Sequence, residues 1–323
     1  MADQKPPGGG SLYRGPSAVP RDKRERERDR ARAGERPDHV VKPERIERPE
    51  RSSRPDHVAS PEHAAPVPAA SPKPAQEQRL YGLNACLALF AHRPQSLRKV
   101  WLLESRIPAL KPVLAHCVKN RLGYTIVEAE DLERLSGSAH HEGVVFGALP
   151  VEELSLSQWL QGLAPGPQLA IWLDGVGNPH NFGAIARSAA HFGAAAILLP
   201  QDSTLSLSGA AARVSEGGIE ALPLVRLGRS DHAMSQLAAA GFTTAATTVR
   251  GGQSLYATQL PARMVLLMGA EQAGVDAALT QASTLKLLIP GTGAVESLNV
   301  ASATSVLLSE WRRQQVTAPF VRR

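Results

Sequence analysis

The chain has 323 residues and a formal net charge of +6, with 36 Lys and Arg against 30 Asp and Glu. Its length fits about two domains, and it contains neither an apolar run of about 18 residues nor an apolar N-terminal segment, which argues against membrane insertion and secretion. Cys86 and Cys117 lack the spacing of a zinc site or a C-x-x-C pair, so we interpret both as reduced core residues of a cytoplasmic protein.

Residues 1–77 differ in composition from the rest of the chain. They hold 16 of the 36 Lys and Arg and 13 of the 25 Pro, but a single aromatic residue, Tyr13. Such a segment buries too little apolar surface to offset the entropy of ordering it, which predicts disorder. Its basic charge favours a polyanionic partner, with nucleic acid as the best fit. A tail that only increases solubility is the alternative.

A regular pattern begins near Leu80 and predicts a small α/β unit over residues 78–150. The predicted elements are helix 81–91, strand 99–103, helix 107–120, strand 124–127, a short helix over 128–135, and strand 143–149. We interpret residues 151–167 as a linker, because a short helix at 156–163 is followed there by Pro165-Gly-Pro167.

A second set of alternating elements occupies residues 168–316, ahead of a short basic tail at 317–323. The predicted strands are 169–173, 195–199, 242–247, 264–268 and 285–289, and the predicted helices are 181–192, 231–240 and 298–314. Strands that alternate with helices indicate a mostly parallel sheet covered on both faces. Periodicity alone therefore predicts a doubly wound α/β domain.

Three motifs follow strands of this second unit. The first runs from Asn178 to Ala189 and contains Asn181 and Arg187. On a helix, Phe182 and Ile185 share one face, while Arg187 points to the opposite side. From the residues alone, a helix N-cap at Asn181 and a solvated surface position for Arg187 are favoured over a functional role.

The second motif, Gly269 to Gly274, comes directly after strand 264–268. Glycines at a strand end let a ligand approach the backbone, and Glu271 is placed to accept hydrogen bonds from it. A plain turn with a surface glutamate is the alternative.

The third motif runs from Ile289 to Asn299 and ends in a Ser-Leu-Asn triplet at a helix start. Free backbone N–H groups and small polar side chains meet there, as in sites that hold small polar ligands. The alternative is that Ser297 simply caps the last helix.

The order and spacing of the three motifs resemble those of the SpoU/TrmH family, which methylates the ribose 2′-hydroxyl of rRNA or tRNA with S-adenosylmethionine. The resemblance implies a trefoil-knotted α/β domain of the SPOUT class over residues 168–316, an arrangement that general topology rules exclude. Residues 78–150 resemble the L30e-like RNA substrate-binding domain of this family more loosely. The basic tail makes the chain similar to a subgroup that carries such a tail.

The resemblance also implies site residues, with S-adenosylmethionine as the cofactor. Methyl transfer from a sulfonium has a neutral leaving group and needs no metal. The catalytic positions are Asn181, Arg187, Glu271, Ser297 and Asn299. The cofactor positions are Gly269, Ile289 and Leu298, with Thr247 as a further candidate. Because a guanidinium stays protonated, we expect Arg187 to orient the ribose or a phosphate and to stabilise the developing alkoxide.

RNA is the expected partner, and the lack of a long apolar run predicts no membrane partner. The resemblance implies RNA as substrate and a homodimer formed through the catalytic domain. Where the family commonly has His-Gln-Gly-Val, this chain has Glu142, which puts any RNA contact of that Gln in doubt.

The alternative function is a non-catalytic RNA-binding relative, such as a ribosome-assembly factor. A dinucleotide oxidoreductase is disfavoured, because the third glycine of the fingerprint that begins at Gly175 is displaced to Gly183.

Overall fold

The computed structural model describes residues 77–315. The predicted disordered tail therefore lies outside the described residues apart from Glu77, and so does the predicted basic tail at 317–323. All described residues belong to one compact unit. Within them, no helix is both long and apolar enough to cross a bilayer.

The N-terminal lobe is built on a four-stranded sheet with the order β1-β4-β2-β3. Strand β4 pairs antiparallel with both β1 and β2, and β3 pairs parallel with β2. The strands are β1 (Gln78–Tyr81), β2 (Leu97–Leu102), β3 (Gly123–Ile126) and β4 (Val144–Ala148). The helices are α1 (Leu83–His92), α2 (Ile107–Lys119) and α3 (Ala129–Ser136).

The C-terminal lobe is built on an eight-stranded sheet with the order β10-β12-β9-β11-β6-β7-β8-β5, in which every pair is parallel. The strands are β5 (Leu154–Ser155), β6 (Gln168–Asp174), β7 (Ala196–Leu199), β8 (Leu224–Arg226), β9 (Thr243–Thr247), β10 (Gln253–Ser254), β11 (Arg263–Gly269) and β12 (Leu285–Leu288). The helices are α4 (Leu156–Gln161), α5 (Pro179–Phe192), α6 (Gly209–Ser215), α7 (Ser230–Ala239), α8 (Ala277–Ala282) and α9 (Val300–Gln315).

Helix α5 positions the first motif. Its inner face buries Phe182, Ile185 and Ala189 completely, and Gly193 ends the helix in a left-handed conformation. Helix α9 packs on the same helix, where the hydroxyls of Ser188 and Ser305 lie 2.8 Å apart. Helix α9 follows β12, near one end of the strand order, and packs on α5, which follows β6 near the middle of the sheet. This return of the chain is the one expected for the implied knot.

The two lobes share one hydrophobic core. A continuous cluster of buried apolar side chains extends from the first sheet into the second, and it includes Leu89, Leu97, Phe146, Ile171, Phe182 and Trp311. At the junction, Arg93 of the N-terminal lobe forms a bidentate pair with Glu220, at 2.7 and 2.9 Å. Both side chains are almost fully buried, with 12% and 6% exposed. The lobes are thus held together by packing and by a buried ion pair.

The observed elements depart from the predicted ones at identifiable places. Tyr81 belongs to β1 and not to the first helix, which begins at Leu83 because Gly82 has a φ of 94° that a helix does not allow. Helix α4 ends at Gln161, two residues before the predicted end. Cys86 and Cys117 are free and buried, as predicted, and burial raises the pKa of both thiols.

Candidate active site

Asn181 points away from the helix end and toward the other motifs. The interpretation of Asn181 as an N-cap is wrong, because Asn178 caps α5 and accepts a hydrogen bond from the backbone N–H of His180 at 2.8 Å. Pro179 occupies the first helical turn, where its missing N–H costs nothing. The Asn181 side-chain amide instead donates to Glu271 Oε1 at 3.0 Å.

Asn181, Glu271 and Asn299 form a hydrogen-bonded cluster that joins all three motifs. Asn299 Nδ2 lies 2.6 Å from Glu271 Oε1 and 3.1 Å from Asn181 Oδ1. One carboxylate oxygen thus accepts from two amides, an arrangement that fixes both amide planes. The cluster borders a cleft of about 90 Å³ that is also lined by Gly177 and Val300. Three of the five predicted catalytic residues therefore lie in direct contact.

Asn299 also caps the last helix. Its Oδ1 accepts from the backbone N–H of Ala301 at 2.9 Å, while its amide nitrogen serves the cluster. The alternative in which Ser297 caps this helix is therefore wrong. Ser297 lies exposed in the loop before α9, and one asparagine combines the structural and the proposed functional role.

The predicted cofactor positions lie at the carboxyl ends of neighbouring strands. Thr247 ends β9, Gly269 ends β11, and Ile289 follows β12, and β9 lies between the other two strands. Thr247 Oγ1 donates a hydrogen bond to the backbone carbonyl of Leu267 at 3.0 Å, which connects β9 to β11 near the carboxyl ends of these strands. In parallel sheets, ligands bind beyond the carboxyl ends of the strands.

The fourth cofactor position, Leu298, lies in the exposed loop that follows β12. Leu298 is 47% exposed and Val295 is 71% exposed. Leu298 directly precedes Asn299, whose side-chain amide bonds Glu271 in the cluster.

Position 269 must be a glycine because the backbone of residues 274 and 275 lies directly against it. A Cβ at this position would overlap the backbone carbon of Gly274 and the backbone nitrogen of Val275. The turn is closed by a hydrogen bond of 2.8 Å from the Gly274 N–H to the Ala270 carbonyl. Asp174 at the end of β6 holds Asp276, two residues beyond the turn, since the Asp174 Oδ2 accepts a hydrogen bond from the Asp276 N–H at 2.7 Å. The second motif is thus a preformed turn braced by β6.

Arg187 lies apart from the cluster. It follows Asn181 by six residues on α5, which corresponds to about 9 Å along the helix axis and a rotation of roughly 120°. Its side chain is 62% exposed, which agrees with the prediction that it is not a core residue. Its Nη1 lies 3.9 Å from Glu216 Oε1. The Glu216 contact was not predicted, because no motif marked residues 209–220.

Glu142 is engaged within the protein. Its Oε2 accepts from the Leu83 N–H at 3.0 Å, at the start of α1, and its Oε1 lies 3.5 Å from Arg213 Nε. His141 is buried, and its Nδ1 accepts from the Gly143 N–H at 3.0 Å. This turn therefore braces the lobe junction. Among residues 77–315, no group of three or more His, Cys, Asp or Glu side chains is arranged to hold a metal ion.

The fold and the comparisons with known proteins identify an RNA methyltransferase of the SpoU type. The model of the SpoU rRNA methylase family matches residues 168–309, and the model for RNA 2′-O ribose methyltransferase substrate binding matches residues 79–154. The chain belongs to the SpoU methylase family. The predicted family and fold class are confirmed.

Named relatives and a solved structure agree with this assignment. The chain is 38% identical over 239 residues to an uncharacterized tRNA/rRNA methyltransferase, YfiF, of Escherichia coli O157:H7, covering 74% of this chain and 69% of that protein. It is 32% identical to the 23S rRNA (guanosine-2′-O-)-methyltransferase RlmB of Pseudomonas putida, covering 74% and 98%. An AdoMet-bound rRNA methyltransferase from Sinorhizobium meliloti superimposes with a TM-score of 0.63 at 25% identity, covering 75% of this chain and 88% of that one.

Proposed function

We propose that this chain transfers a methyl group from S-adenosylmethionine to a ribose 2′-hydroxyl of rRNA or tRNA. Its family membership bears out the predicted activity, and the AdoMet-bound neighbour bears out the predicted cofactor. The observation that carries the proposal for the site is the contact of Asn181, Glu271 and Asn299, which joins the three motifs at the strand ends.

The ribose 2′-oxygen gains the methyl group and loses its proton to water, while the carbon–sulfur bond of the donor breaks to leave a neutral thioether. Alignment and electrostatics therefore supply most of the catalysis. S-adenosylmethionine supplies the methyl group when it is bound beside Gly269, Ile289 and Leu298. The amides of Asn181 and Asn299, which are held by Glu271, position the reacting ribose. Ser297 precedes this cluster on the same loop and faces solvent, where a nucleotide can reach it.

Arg187 acts on the RNA side of the reaction. Its guanidinium offers five donors to a phosphate or to the developing alkoxide, and its exposure leaves them accessible. It is a poor base, so its role is to orient the substrate and to stabilise charge.

RNA recognition is assigned to the N-terminal lobe and the basic tail. The proposed boundaries are 78–150 for the L30e-like substrate-binding domain, 151–167 for the linker and 168–316 for the methyltransferase domain. The family models at residues 79–154 and 168–309 support the two domain assignments. The relative from Pseudomonas putida is named as a 23S rRNA methyltransferase, which makes rRNA the first substrate to test. An RNA substrate of this class implies that the protein acts in the cytoplasm.

The protein acts as a homodimer through its C-terminal lobe. This part of the proposal rests on the membership of the chain in the SpoU family. Sedimentation equilibrium tests it. A monomer at micromolar concentration would contradict this part of the proposal.

Two measurements test the activity. Calorimetry should detect S-adenosylmethionine binding to both the wild-type protein and Arg187→Ala, whereas only the wild type should transfer labelled methyl groups to RNA. Arg229→Ala is the matched control, because Arg229 is also exposed and paired with an acidic residue, Asp231. A folded protein that does not bind S-adenosylmethionine would favour the non-catalytic alternative.

A further inference from the structure

The segment 209–220 lies between the N-terminal lobe and the helix that carries Arg187. On one side, Gly209 packs against the Tyr81 ring and Gly217 against the Ala88 methyl group. On the other side, a Cβ on Gly218 would come within 2.8 Å of the Arg187 Cα. Glycines at these positions let the segment contact both neighbours closely. The segment therefore connects the substrate-binding lobe with the surroundings of Arg187.

Glu216 lies at the centre of this connection. Its Oε2 accepts a hydrogen bond from Asn84 Nδ2 at 2.5 Å, and its Oε1 lies 3.9 Å from Arg187 Nη1. Asn84 is on α1 of the N-terminal lobe. One carboxylate thus links the first helix of that lobe to the arginine of the first motif.

The backbone at Glu216 is unfavourable for a glutamate. Glu216 ends α6 with a φ of 51° and a ψ of 36°, the left-handed conformation in which glycine or asparagine is the usual residue. Glycine would adopt this conformation without strain. Local structure therefore does not explain a glutamate here, and the contacts of its carboxylate do.

We infer that Glu216 is a positioning residue, which holds the Arg187 guanidinium for methyl transfer and couples it to the substrate-binding lobe through Asn84. This inference rests on the proposed role of Arg187. The Asn84 hydrogen bond fixes the Glu216 carboxylate, and the carboxylate restricts the exposed Arg187 side chain. A half-exposed pair at this distance adds little to stability. Its effect lies in orientation, where small displacements change rates strongly.

The arginine retains donors for the substrate while it is held. At 3.9 Å the contact with Glu216 is an ion pair without a hydrogen bond, so the N–H groups of the guanidinium stay available for a phosphate or ribose oxygen. Glu216 therefore restrains Arg187 and leaves it able to bind RNA.

Glu216→Gly separates this role from a structural one, because the variant removes backbone strain together with the carboxylate. We expect its melting temperature to be equal to or above that of the wild type, its affinity for S-adenosylmethionine to be unchanged, and its kcat to fall about five- to tenfold. The substrate is total RNA from cells that lack the gene, with labelled S-adenosylmethionine. Glu216→Gln, which keeps the Asn84 contact but loses the charge, should give an intermediate kcat.

Coupling to the lobe is tested by Asn84→Ala. Alone it should lower kcat by about two- to fivefold, and combined with Glu216→Gly it should add nothing further, because both changes remove the same link. Glu153→Gln is the matched control, since Glu153 is also a partly exposed carboxylate but is paired with a different arginine, Arg226, and it should leave kcat unchanged.

Two outcomes would overturn the inference. A wild-type kcat in Glu216→Gly means that the carboxylate does not position Arg187, and a raised kcat means that it holds Arg187 back from RNA. In either case, loss of activity in Arg187→Ala would leave the proposed function intact. Full activity in Arg187→Ala would instead remove the proposed role of Arg187, and the inference with it.

Discussion

Gly269→Ala tests the geometry of the proposed cofactor site. A Cβ at this position overlaps backbone atoms of Gly274 and Val275, so no side-chain rotation can relieve the clash. The turn must move as a unit, and its braces must move with it: the Gly274 to Ala270 bond and the Asp276 to Asp174 bond. Overpacking costs about 1–3 kcal/mol, and a clash with backbone belongs at the upper end of that range.

A cost of about 3 kcal/mol corresponds to a melting temperature lowered by roughly 6–12 °C for a folded unit of this size. Displacing the turn also shifts the strand end at which S-adenosylmethionine is proposed to bind. A misplacement on the order of 1 Å is enough to lower the rate of methyl transfer about 100-fold.

The assay combines thermal unfolding with calorimetric titration of S-adenosylmethionine. Gly228→Ala is the control, because a Cβ there meets no atom within 4 Å and the residue is remote from the motifs. It should leave both measurements unchanged. If Gly269→Ala kept the wild-type melting temperature and the wild-type affinity, the close approach of the turn to β11, and with it the preformed site, would be refuted.

Three further predictions concern the lobe junction, the cluster and acid stability. Arg93→Ala leaves the carboxylate of Glu220 buried and unpaired. The free energy of unfolding, measured in urea, should therefore fall by about 3–5 kcal/mol. An unchanged free energy would mean that the pair is not buried in solution. Glu271→Ala should lower the rate of methyl transfer at least roughly tenfold, and because Glu271 is exposed, thermal stability should change little. Glu271→Gln keeps an acceptor oxygen for the two amides and should lower the rate less. Equal rates in the two variants would argue against the role of Glu271 in holding the amides. Hydrogen bonds from Arg313 and Gln314 lower the pKa of Glu310 to about 2 from the usual 4.5. Since the folded pKa lies below the unfolded one, this stabilisation is complete above about pH 5 and is lost toward pH 2, so Glu310→Gln should flatten the acid limb of a stability profile.

Elements with a clear apolar period were predictable from the sequence. The spacing of Phe182, Ile185 and Ala189 predicts a helix over 181–192, and the structure extends it back to Pro179 because Asn178 supplies the cap. The Asn-Pro pair was a readable signal for that start.

Elements that depend on distant partners were not predictable in this way. Strand β1 was missed because its four residues carry little alternation, and it is stabilised by pairing with β4, which lies far along the chain. Helix α6 was missed because Gly209–Ser215 has no large apolar stripe and packs through its small residues. Tertiary contacts determine both elements.

The sequence predicted which residues belong to the site but did not predict how their side chains contact one another. Resemblance identified the motifs, but the contact between Asn181 and Glu271 spans 90 residues and depends on the strand order. Local propensity also favoured Ser297 as the helix cap, whereas the cap is Asn299, which bonds Glu271 at the same time. A residue with two such roles cannot be distinguished from a simple cap by sequence spacing alone.

The most direct test of the central claim is a map of ribose 2′-O-methyl groups in total RNA. Cells that lack the gene are compared with cells that carry the wild-type gene or the Arg187→Ala gene, with the two proteins at equal abundance. We predict at least one rRNA or tRNA site that is methylated with the wild type and unmethylated in both other strains. Identical maps in all three strains would contradict the assignment of this chain as an RNA 2′-O-methyltransferase.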